Sequence, residues 1–388
     1  MRPSLPGSGA LVAWAPKLDI VKPRNVVSTV LAAAGLTWLV RAAWGLPSAM
    51  GASRNRIQPY AAASPHYRNR RFGNSIPSSA ASPDLKIFRD LLTQGRNGRP
   101  RRPIPLATPL APAEAGDIAV TWFGHSSVLI EIDGRRVLTD PVWSNRVSPS
   151  ALVGPARLHP VPVAAEALPL IDAILISHDH YDHLDRDTVR ILLDTQTAPF
   201  VVPLGVGSHL RRWNVPEDRI VELDWDQATV VAGITLTCTE ARHFSGRGLV
   251  RDTTQWASWS IAGPSHSAFF GGDTGYTPRF STIGETYGPF DVTLLPVGAY
   301  NEQWRDIHMN PEEAVQAHVD LQSADAGHGI VIPVHWATFN LAFHPWSEPI
   351  ERLIEAATTR GVHVTVPMPG QRVDVLRGSD RQPWWELN

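Results

Sequence analysis

A stretch of nine residues constrains the fold more than any other part of this chain. Residues 177–185 carry three histidines and three aspartates, and residues 171–176 before them form a short, isoleucine-rich apolar run. Such a run is typical of a buried strand. Residues 186–195 follow with apolar positions at helical spacing. The polar stretch is therefore predicted to be a loop between a strand and a helix, where rigid scaffolds commonly carry their chemistry.

The spacing within this loop favours a metal site. Imidazole and carboxylate groups are ligands for divalent metals, zinc above all. His178 and His180 are two positions apart, so on an extended segment they point the same way and can hold one ion together. Asp182 and His183 follow as the chain turns and can face a second ion. The alternative is a solvated loop that is acidic and rich in histidine, but this does not explain three imidazoles directly behind a buried strand.

The pattern His178-x-His180-x-Asp182-His183 resembles the HxHxDH motif of the metallo-β-lactamase superfamily. From Thr121 to about Phe343 the chain resembles the N-acylphosphatidylethanolamine-hydrolysing phospholipase D family. The resemblance implies an α/β fold, namely a four-layer αββα sandwich of two mixed sheets flanked by helices. It also implies a dinuclear site, for which every expected ligand has a candidate in the expected order: His178, His180, Asp182, His183, His243, Asp273 and His335.

The cofactors implied by the resemblance are two Zn²⁺ ions per chain, with other divalent metals as alternatives. The first zinc would be bound by His178, His180 and His243. The second zinc would be bound by Asp182, His183 and His335. Asp273 would bridge the two ions, and the glycines beside it would let the backbone come close to the site.

Further residues are candidates for roles beside the metals. The resemblance assigns catalytic roles to Asp182 and to His308, although His308 could also be an ordinary loop histidine. Asp140 fits a carboxylate that orients a ligand histidine, and an Asp-Pro turn is the alternative. His125 and Tyr181 are candidates for contacts behind the ligands or with the substrate. A purely structural role is an equal alternative for His125.

The amino-acid composition limits the classes of partner that this chain is expected to bind. The 388 residues include 35 Lys and Arg and 37 Asp and Glu. This nearly balanced charge and the absence of a dense basic arm in the sequence argue against a nucleic-acid partner. The family resemblance implies a phospholipid or another phosphodiester as the substrate. The single cysteine, Cys238, excludes an intrachain disulfide and is predicted to be a small buried hydrophobe within a strand.

We predict three segments along the chain. Residues 1–50 comprise a disordered start and an apolar run, residues 51–116 a basic extension with a proline-rich connector, and residues 117–388 the catalytic domain. The apolar run at 26–46 could be a signal peptide, a membrane-associated helix or a helix packed on the main domain, and membrane association is favoured. Residues 1–24 resemble nothing in the family, so the true start is expected after Met1. An amphipathic helix is predicted over residues 84–93.

The predicted function is a dinuclear-zinc hydrolase of phosphodiesters. The resemblance implies phospholipase D-type cleavage of N-acylphosphatidylethanolamine-like lipids by a metal-bound hydroxide. A lactonase-like hydrolase of a small metabolite is the enzymatic alternative. A non-catalytic, metal-stabilised envelope protein is the alternative from another class. A membrane-associated or envelope location is expected, with the cytoplasm as the alternative, and the resemblance implies a homodimer.

Overall fold

The computed structural model describes residues 23–77, 97–109, 112, 114–323, 327–378 and 382–386. The helix predicted over residues 84–93 and most of the start predicted to be disordered lie outside the described residues. The described helices are α1 (Pro23–Ala43), α2 (Leu46–Ala49), α3 (Arg54–Ala61), α4 (Arg186–Thr195), α5 (Gly207–Arg212), α6 (Arg279–Tyr287), α7 (Pro311–Leu321) and α8 (Glu348–Arg360).

The described strands are β1 (Tyr67–Arg68), β2 (Arg71–Phe72), β3 (Ile118–Gly124), β4 (Ser127–Ile132), β5 (Arg135–Thr139), β6 (Ala173–Leu175), β7 (Phe200–Pro203), β8 (Ile220–Leu223), β9 (Ala228–Val231), β10 (Ile234–Thr239), β11 (Ser258–Ala262), β12 (Ser267–Phe270), β13 (Val292–Pro296), β14 (Ile330–Val334) and β15 (Arg372–Asp374).

Most of these strands belong to two mixed sheets. The seven-stranded sheet has the order β15-β3-β4-β5-β6-β7-β8, and the six-stranded sheet has the order β14-β13-β12-β11-β10-β9. Strands β5 to β8 are parallel in the first sheet, and β12 to β14 are parallel in the second. The remaining pairs in both sheets are antiparallel. Two mixed sheets with flanking helices confirm the predicted α/β sandwich.

The two faces of the seven-stranded sheet pack against different partners because successive side chains of a strand alternate. Val137 of β5 and Leu175 of β6 join the large core that also holds residues of the six-stranded sheet. Leu138 and Ile174, one position along, join a second core with Val189 of α4. On the other side of the molecule, α7 contacts β13 and α8 packs on α7. Each sheet therefore has one helix layer beside it.

Local sequence signals explain several element boundaries. Asp133 and Gly134 join β4 to β5, and their φ values of 46° and 77° fit the tight hairpin turn that an Asp-Gly pair favours. At α7 the Asn310 side chain accepts a hydrogen bond from the Glu313 backbone N–H, and the Glu313 carboxylate accepts one from the Asn310 N–H. This arrangement is a capping box, which the sequence Asn310-Pro311-Glu312-Glu313 favours. It fixes the start of α7 three residues after His308.

A tryptophan cluster fastens the carboxyl-terminal residues to the large sheet. Trp122 of β3 stacks on Trp336, which follows β14, with ring centroids 5.9 Å apart. The ring of Trp384 lies 5.2 Å from that of Trp336 and 6.1 Å from that of Trp346. Trp385 contacts Trp384 in turn. Since β15 also pairs with β3, the end of the chain is held against the first strand of the catalytic region.

The chain divides into two compact units, residues 1–44 and residues 45–388. In the first unit α1 covers most of the apolar run. Within the residues described, no helix combines the length and hydropathy needed to cross a bilayer. In the second unit Ile57, Ala61 and Phe72 enter the large core, whereas Arg68 and Arg70 are exposed. The predicted boundary at residues 116 and 117 stays a prediction.

Candidate metal centre

The predicted ligands are brought together at the ends of strands from both sheets. In the seven-stranded sheet, the loop after β6 carries His178, His180, Asp182 and His183. In the six-stranded sheet, the segments after β10, β12 and β14 carry His243, Asp273 and His335. Strands that run in the same direction end at the same edge of their sheet. Residues that follow such strands therefore lie close together even when they are distant in sequence.

One group of side chains contains His178, His180, His243 and Asp273. The Nδ1 atom of His180 lies 2.8 Å from Nε2 of His178 and 3.3 Å from Nε2 of His243. Oδ2 of Asp273 lies 3.9 Å from Nε2 of His178 and 3.8 Å from Nε2 of His243. Three imidazole nitrogens and one carboxylate oxygen therefore face a common point.

A second group contains Asp182, His183 and His335, together with His125. Oδ2 of Asp182 lies 3.4 Å from Nε2 of both His183 and His335. Oδ2 of Asp273 lies 3.1 Å from the same two nitrogens. Asp273 thus stands between the two groups, at the position predicted for a bridging carboxylate.

The donor atoms of this centre fit a divalent metal. Nε2 of His183, Nε2 of His335 and Oδ1 of Asp273 are buried, and none has a hydrogen-bond partner among the described residues. Buried polar atoms normally have a partner, and a bound cation would serve as the common partner of these three atoms. Imidazole nitrogen with carboxylate oxygen is a donor set that zinc accepts. Metal binding by these residues nevertheless stays a prediction at the level of the individual ligand.

The protonation behaviour of the side chains differs between the group that contains Asp182 and the group that contains His178. Burial opposes charge on Asp273, but the neighbouring His183 and His335 hold the pKa of this carboxyl well below its usual range. Burial likewise opposes protonation of His335, but Asp273 and Asp182 raise its pKa to about 9. In the other group, burial and then His183 hold the pKa of His178 well below its usual value. The group that contains Asp182 therefore attracts positive charge, and His178 is in the neutral form that binds metals.

Asp140 lies behind the centre in the position predicted for an orienting carboxylate. Its Oδ2 is 2.7 Å from Nδ1 of His183 and accepts a hydrogen bond of 2.6 Å from the Ser177 hydroxyl. Its Oδ1 accepts a hydrogen bond of 2.7 Å from the Ser177 N–H. The carboxylate thus holds Nδ1 of His183 as a donor and leaves Nε2 facing the centre. Burial raises the pKa of Asp140, and His183 opposes that shift.

The structure places the other candidates at different distances from the centre. Nε2 of His125 is 2.9 Å from Oδ2 of Asp182, close enough for a hydrogen bond to a predicted ligand. Nδ1 of His308 is 3.9 Å from Oδ2 of Asp273. The Tyr181 hydroxyl donates to the Arg247 carbonyl at 2.9 Å.

Backbone strain coincides with these residues. His125 and His335 have φ values of 52° and 60°, in the left-handed region that non-glycine residues rarely adopt. Such conformations cost on the order of 1–3 kcal/mol each and cluster at functional sites. Gly272, next to Asp273, has a φ of 57°, and a Cβ there would lie 2.5 Å from Cβ of Ser177. Only glycine lets β12 pass this close to the metal loop, as predicted from the glycines beside Asp273.

Several residues that support the centre were not predicted from the sequence. Asn74 hydrogen bonds to the His243 backbone, His209 lies against Asp179, and Arg247 donates to carbonyls of the metal loop. None of them belongs to a local motif. The only sequence signal is that Arg247 and His209 are polar residues within otherwise apolar or glycine-rich surroundings, which is too general to assign a role.

Comparison with known proteins decides the family. Residues 135–336 match the family model described as a β-lactamase superfamily domain. The chain belongs to the metallo-β-lactamase superfamily. At this level it is a metal-dependent hydrolase, and the matched residues include all the predicted ligands from His178 to His335.

Relatives agree with that assignment. An uncharacterised protein of Mycobacterium tuberculosis is 56% identical over 369 residues, covering 94% of this chain and 98% of the relative. The N-acyl-phosphatidylethanolamine-hydrolyzing phospholipase D 1 of Caenorhabditis elegans is 36% identical over 262 residues, covering 64% of this chain and 72% of the relative. The solved structure of Igni18, a metallo hydrolase of Ignicoccus hospitalis, shares the fold. Its TM-score is 0.51 at 23% identity, covering 66% of this chain and 97% of that one.

Proposed function

We propose that this chain is a dinuclear-zinc phosphodiesterase that cleaves N-acylphosphatidylethanolamine-like lipids on the headgroup side, as a phospholipase D does. The observation that carries the proposal is the position of Asp273. Its Oδ2 lies 3.1 Å from Nε2 of His183 and His335, and within 3.9 Å of Nε2 of His178 and His243. A carboxylate between two groups of imidazoles is what two neighbouring ions require.

The substrate class rests on charge and on similarity. Two divalent ions would exceed the charge of Asp182 and Asp273, so the loaded centre would be positive and would attract an anionic phosphodiester. A neutral lactone gains less from such a field. The C. elegans relative is described as hydrolysing N-acyl-phosphatidylethanolamine, which supports a lipid substrate.

In the proposed reaction a water molecule loses one proton as its oxygen bonds to phosphorus, and the bond from phosphorus to the headgroup oxygen breaks. The leaving oxygen takes up one proton, so the hydrolysis balances. Bound divalent metals lower the pKa of water towards neutrality and balance charge on the phosphoryl oxygens. Asp140 keeps His183 in the tautomer that presents Nε2. The Ile307 carbonyl does the same for His243, because it accepts from Nδ1 at 2.9 Å.

His308 has the position of a substrate-contacting residue beside the centre. Burial lowers its pKa to about 4, so at neutral pH the ring is uncharged. A neutral imidazole can donate a hydrogen bond to a phosphoryl oxygen. At neutral pH, however, His308 would be protonated in only a small fraction of the protein molecules, so it would seldom have an extra proton to give to the leaving group. Hydrogen bonding to the phosphoryl group is therefore better supported for His308 than protonation of the leaving group.

A substrate panel on zinc-loaded protein tests the proposal. The panel compares N-acylphosphatidylethanolamine in mixed micelles, a generic aryl phosphodiester, a lactone and a cephalosporin. We expect turnover of both phosphodiesters with release of the N-acylethanolamine, and loss of turnover on chelation followed by recovery with zinc. Rapid lactone hydrolysis with no phosphodiesterase activity would instead establish the lactonase alternative.

Point variants link the activity to the centre. Asp182→Asn and His335→Ala should each reduce turnover to background and lower the bound metal below the wild-type content. His266→Ala is the matched control, because His266 is partly exposed and pairs with Asp133 at a distant hairpin. Normal turnover in either ligand variant would contradict the mechanism. A metal content equal to that of the wild type in both variants would contradict the assignment of Asp182 and His335 as ligands.

We also propose that residues 26–46 bring the enzyme to a membrane surface. The apolar run with Trp38 and Trp44 has the amphipathic aromatic residues favoured at a lipid interface. Co-sedimentation with phosphatidylethanolamine vesicles tests this, with Trp38→Ser and Trp44→Ser expected to weaken binding. The homodimer stays a prediction, which sedimentation velocity can test.

A further inference from the structure

The segment of residues 45–77 precedes the part of the chain that matches the family, residues 135–336. It nevertheless contacts the loop that carries His243 directly. It is linked to the loop after β6 through the side chains of His209 and Arg247. We propose that residues 45–77, called here the amino-terminal segment, position the metal ligands and so determine the affinity of the centre. This proposal rests on the ligand roles proposed above for His243 and for the loop after β6.

The first contact fixes the backbone of His243. Oδ1 of Asn74 accepts a hydrogen bond of 3.1 Å from the His243 N–H, and Nδ2 of Asn74 donates one of 2.9 Å to the His243 carbonyl. The indole N–H of Trp256 also donates to Oδ1 of Asn74, at 3.0 Å. A single amide side chain therefore holds the peptide groups on both sides of one predicted ligand. With Nδ1 of His243 bonded to the Ile307 carbonyl, both the backbone and the ring of this histidine are fixed.

The second contact reaches the residue between His178 and His180. The backbone N–H of Ala52 donates to Nδ1 of His209 at 2.8 Å, and Nε2 of His209 lies 3.3 Å from Oδ2 of Asp179. Because Nδ1 accepts, Nε2 carries the hydrogen in a neutral ring and donates it to Asp179. The amino-terminal segment thus orients the imidazole that holds Asp179.

The close approach at this point requires glycine. Gly51 has a φ of 74°, and a Cβ there would lie 2.1 Å from Nδ1 of His209. No side chain fits between this backbone and the imidazole, so the contact depends on the sequence of the segment itself.

The third contact runs through Arg247. Its Nε donates to the Ala49 carbonyl at 2.7 Å, and its Nη1 donates to the carbonyls of Asp179 at 3.1 Å and Leu184 at 2.5 Å. The guanidinium also lies 4.2 Å from the ring centroid of Tyr181. Arg247 is 4% exposed, so its hydrogen bonds are shielded from water. One cation thereby joins the amino-terminal segment to both ends of the loop that carries His180, Asp182 and His183.

These contacts differ from ordinary packing. Ile57 and Phe72 of the segment fill the apolar core and would stabilise any fold built on it. The hydrogen bonds described above instead end on groups next to predicted ligands. A role limited to stability would lower the melting temperature of the metal-free protein, whereas a positioning role lowers the affinity for metal and changes the ligand geometry.

Asn74→Ala and Asn55→Ala form a matched pair for the test. Both remove an asparagine amide from the same segment, but Asn55 is exposed and its Oδ1 accepts an exposed hydrogen bond of 2.9 Å from Arg70. We expect Asn74→Ala to weaken zinc binding about 10- to 100-fold in a chelator competition, the range for partners that orient metal ligands. Its Co²⁺-loaded form should show a shifted visible spectrum. Asn55→Ala should match the wild type in both measurements.

Hydrogen exchange on the wild type provides a second test that needs no variant. Adding zinc to metal-free protein should slow exchange at the amides of Ala52 and His243 together with the loop of residues 178–184. Slowing in the loop with no change at Ala52 and His243, or wild-type affinity and spectrum in Asn74→Ala, would overturn the positioning role alone. A wild-type protein that binds no zinc would overturn the proposed function and this inference together.

Discussion

Replacing Asp140 by asparagine exchanges one oxygen for an amide nitrogen where every neighbour requires an acceptor. Oδ1 accepts from the Ser177 N–H at 2.7 Å, and Oδ2 faces the Ser177 hydroxyl at 2.6 Å and Nδ1 of His183 at 2.7 Å. An asparagine has one acceptor oxygen and one NH₂ donor. If its oxygen keeps the Ser177 N–H, its NH₂ faces the imidazole N–H of His183. The ring must then rotate or change tautomer.

The magnitude follows from the role of this hydrogen bond. Loss of a carboxylate that orients a ligand histidine typically weakens metal binding 10- to 100-fold, which is about 1.4–2.7 kcal/mol. The site is fully buried, so a buried donor left without a partner would also cost about 1–3 kcal/mol of folding stability. We therefore expect weaker zinc binding at a folded but less stable centre.

The assay is zinc competition against a chromophoric chelator, together with metal content by mass spectrometry and melting of the metal-free protein. Asp172→Asn is the control, because Asp172 precedes β6 at the end away from the metal loop and accepts from the Arg136 N–H at 2.9 Å. Wild-type zinc affinity in Asp140→Asn, with the fold intact, would show that Asp140 does not orient His183.

Three further predictions concern catalysis, stability and pH. His308→Ala should lower kcat about 100-fold with unchanged metal content, as expected for one lost transition-state donor, and normal kcat would exclude contact with the reacting group. Trp384→Ala should cost about 3–5 kcal/mol in urea unfolding, the usual range for a buried tryptophan, whereas Leu376→Ala, an exposed control, should change little. Hydrogen bonding to Asp133 raises the pKa of His266 above 6.5. The stability that protonated His266 contributes is therefore complete below pH 6.5 and is lost as the pH rises through the pKa of His266 in the folded protein. Burial opposes ionisation of Asp133, but hydrogen bonds from Ser265 and His266 lower the pKa of its carboxyl below 3.8. The stability that ionised Asp133 contributes is therefore present above pH 3.8 and is lost as the pH falls through its pKa in the folded protein. The melting difference between wild type and Asp133→Asn should therefore be largest between pH 3.8 and 6.5, and a difference that is constant up to pH 9 would contradict this coupling.

The α/β sandwich and the set of candidate ligands were predicted through the resemblance of the motif at residues 178–183 to that of the superfamily, and each candidate ligand follows a recognisable strand. Strand ends are local features, and the order of ligands along the chain is visible in the printed sequence. The capping box at Asn310 and the turn at Asp133 were predictable for the same reason. Their hydrogen bonds join residues only a few positions apart.

The supporting contacts could not be predicted, because they join remote residues through the backbone. Asn74 and His243 are 169 positions apart, and Ala49 and Arg247 are 198 apart. A hydrogen bond to a carbonyl needs only a nearby peptide group, so it leaves no pattern of side chains in the sequence. His125 is an intermediate case, since its motif indicated proximity to the centre but not its 2.9 Å contact with Asp182.

The pairing of β15 with β3 has a consequence for biosynthesis. The large sheet gains its last strand from residues near the carboxyl terminus, and the ring of Trp384 packs on Trp336, the neighbour of His335. Because chains emerge from the ribosome starting at the amino terminus, this edge of the sheet stays open until residues 372–374 have been synthesised. A nascent chain can therefore assemble the loop after β6 well before the surroundings of His335 are complete.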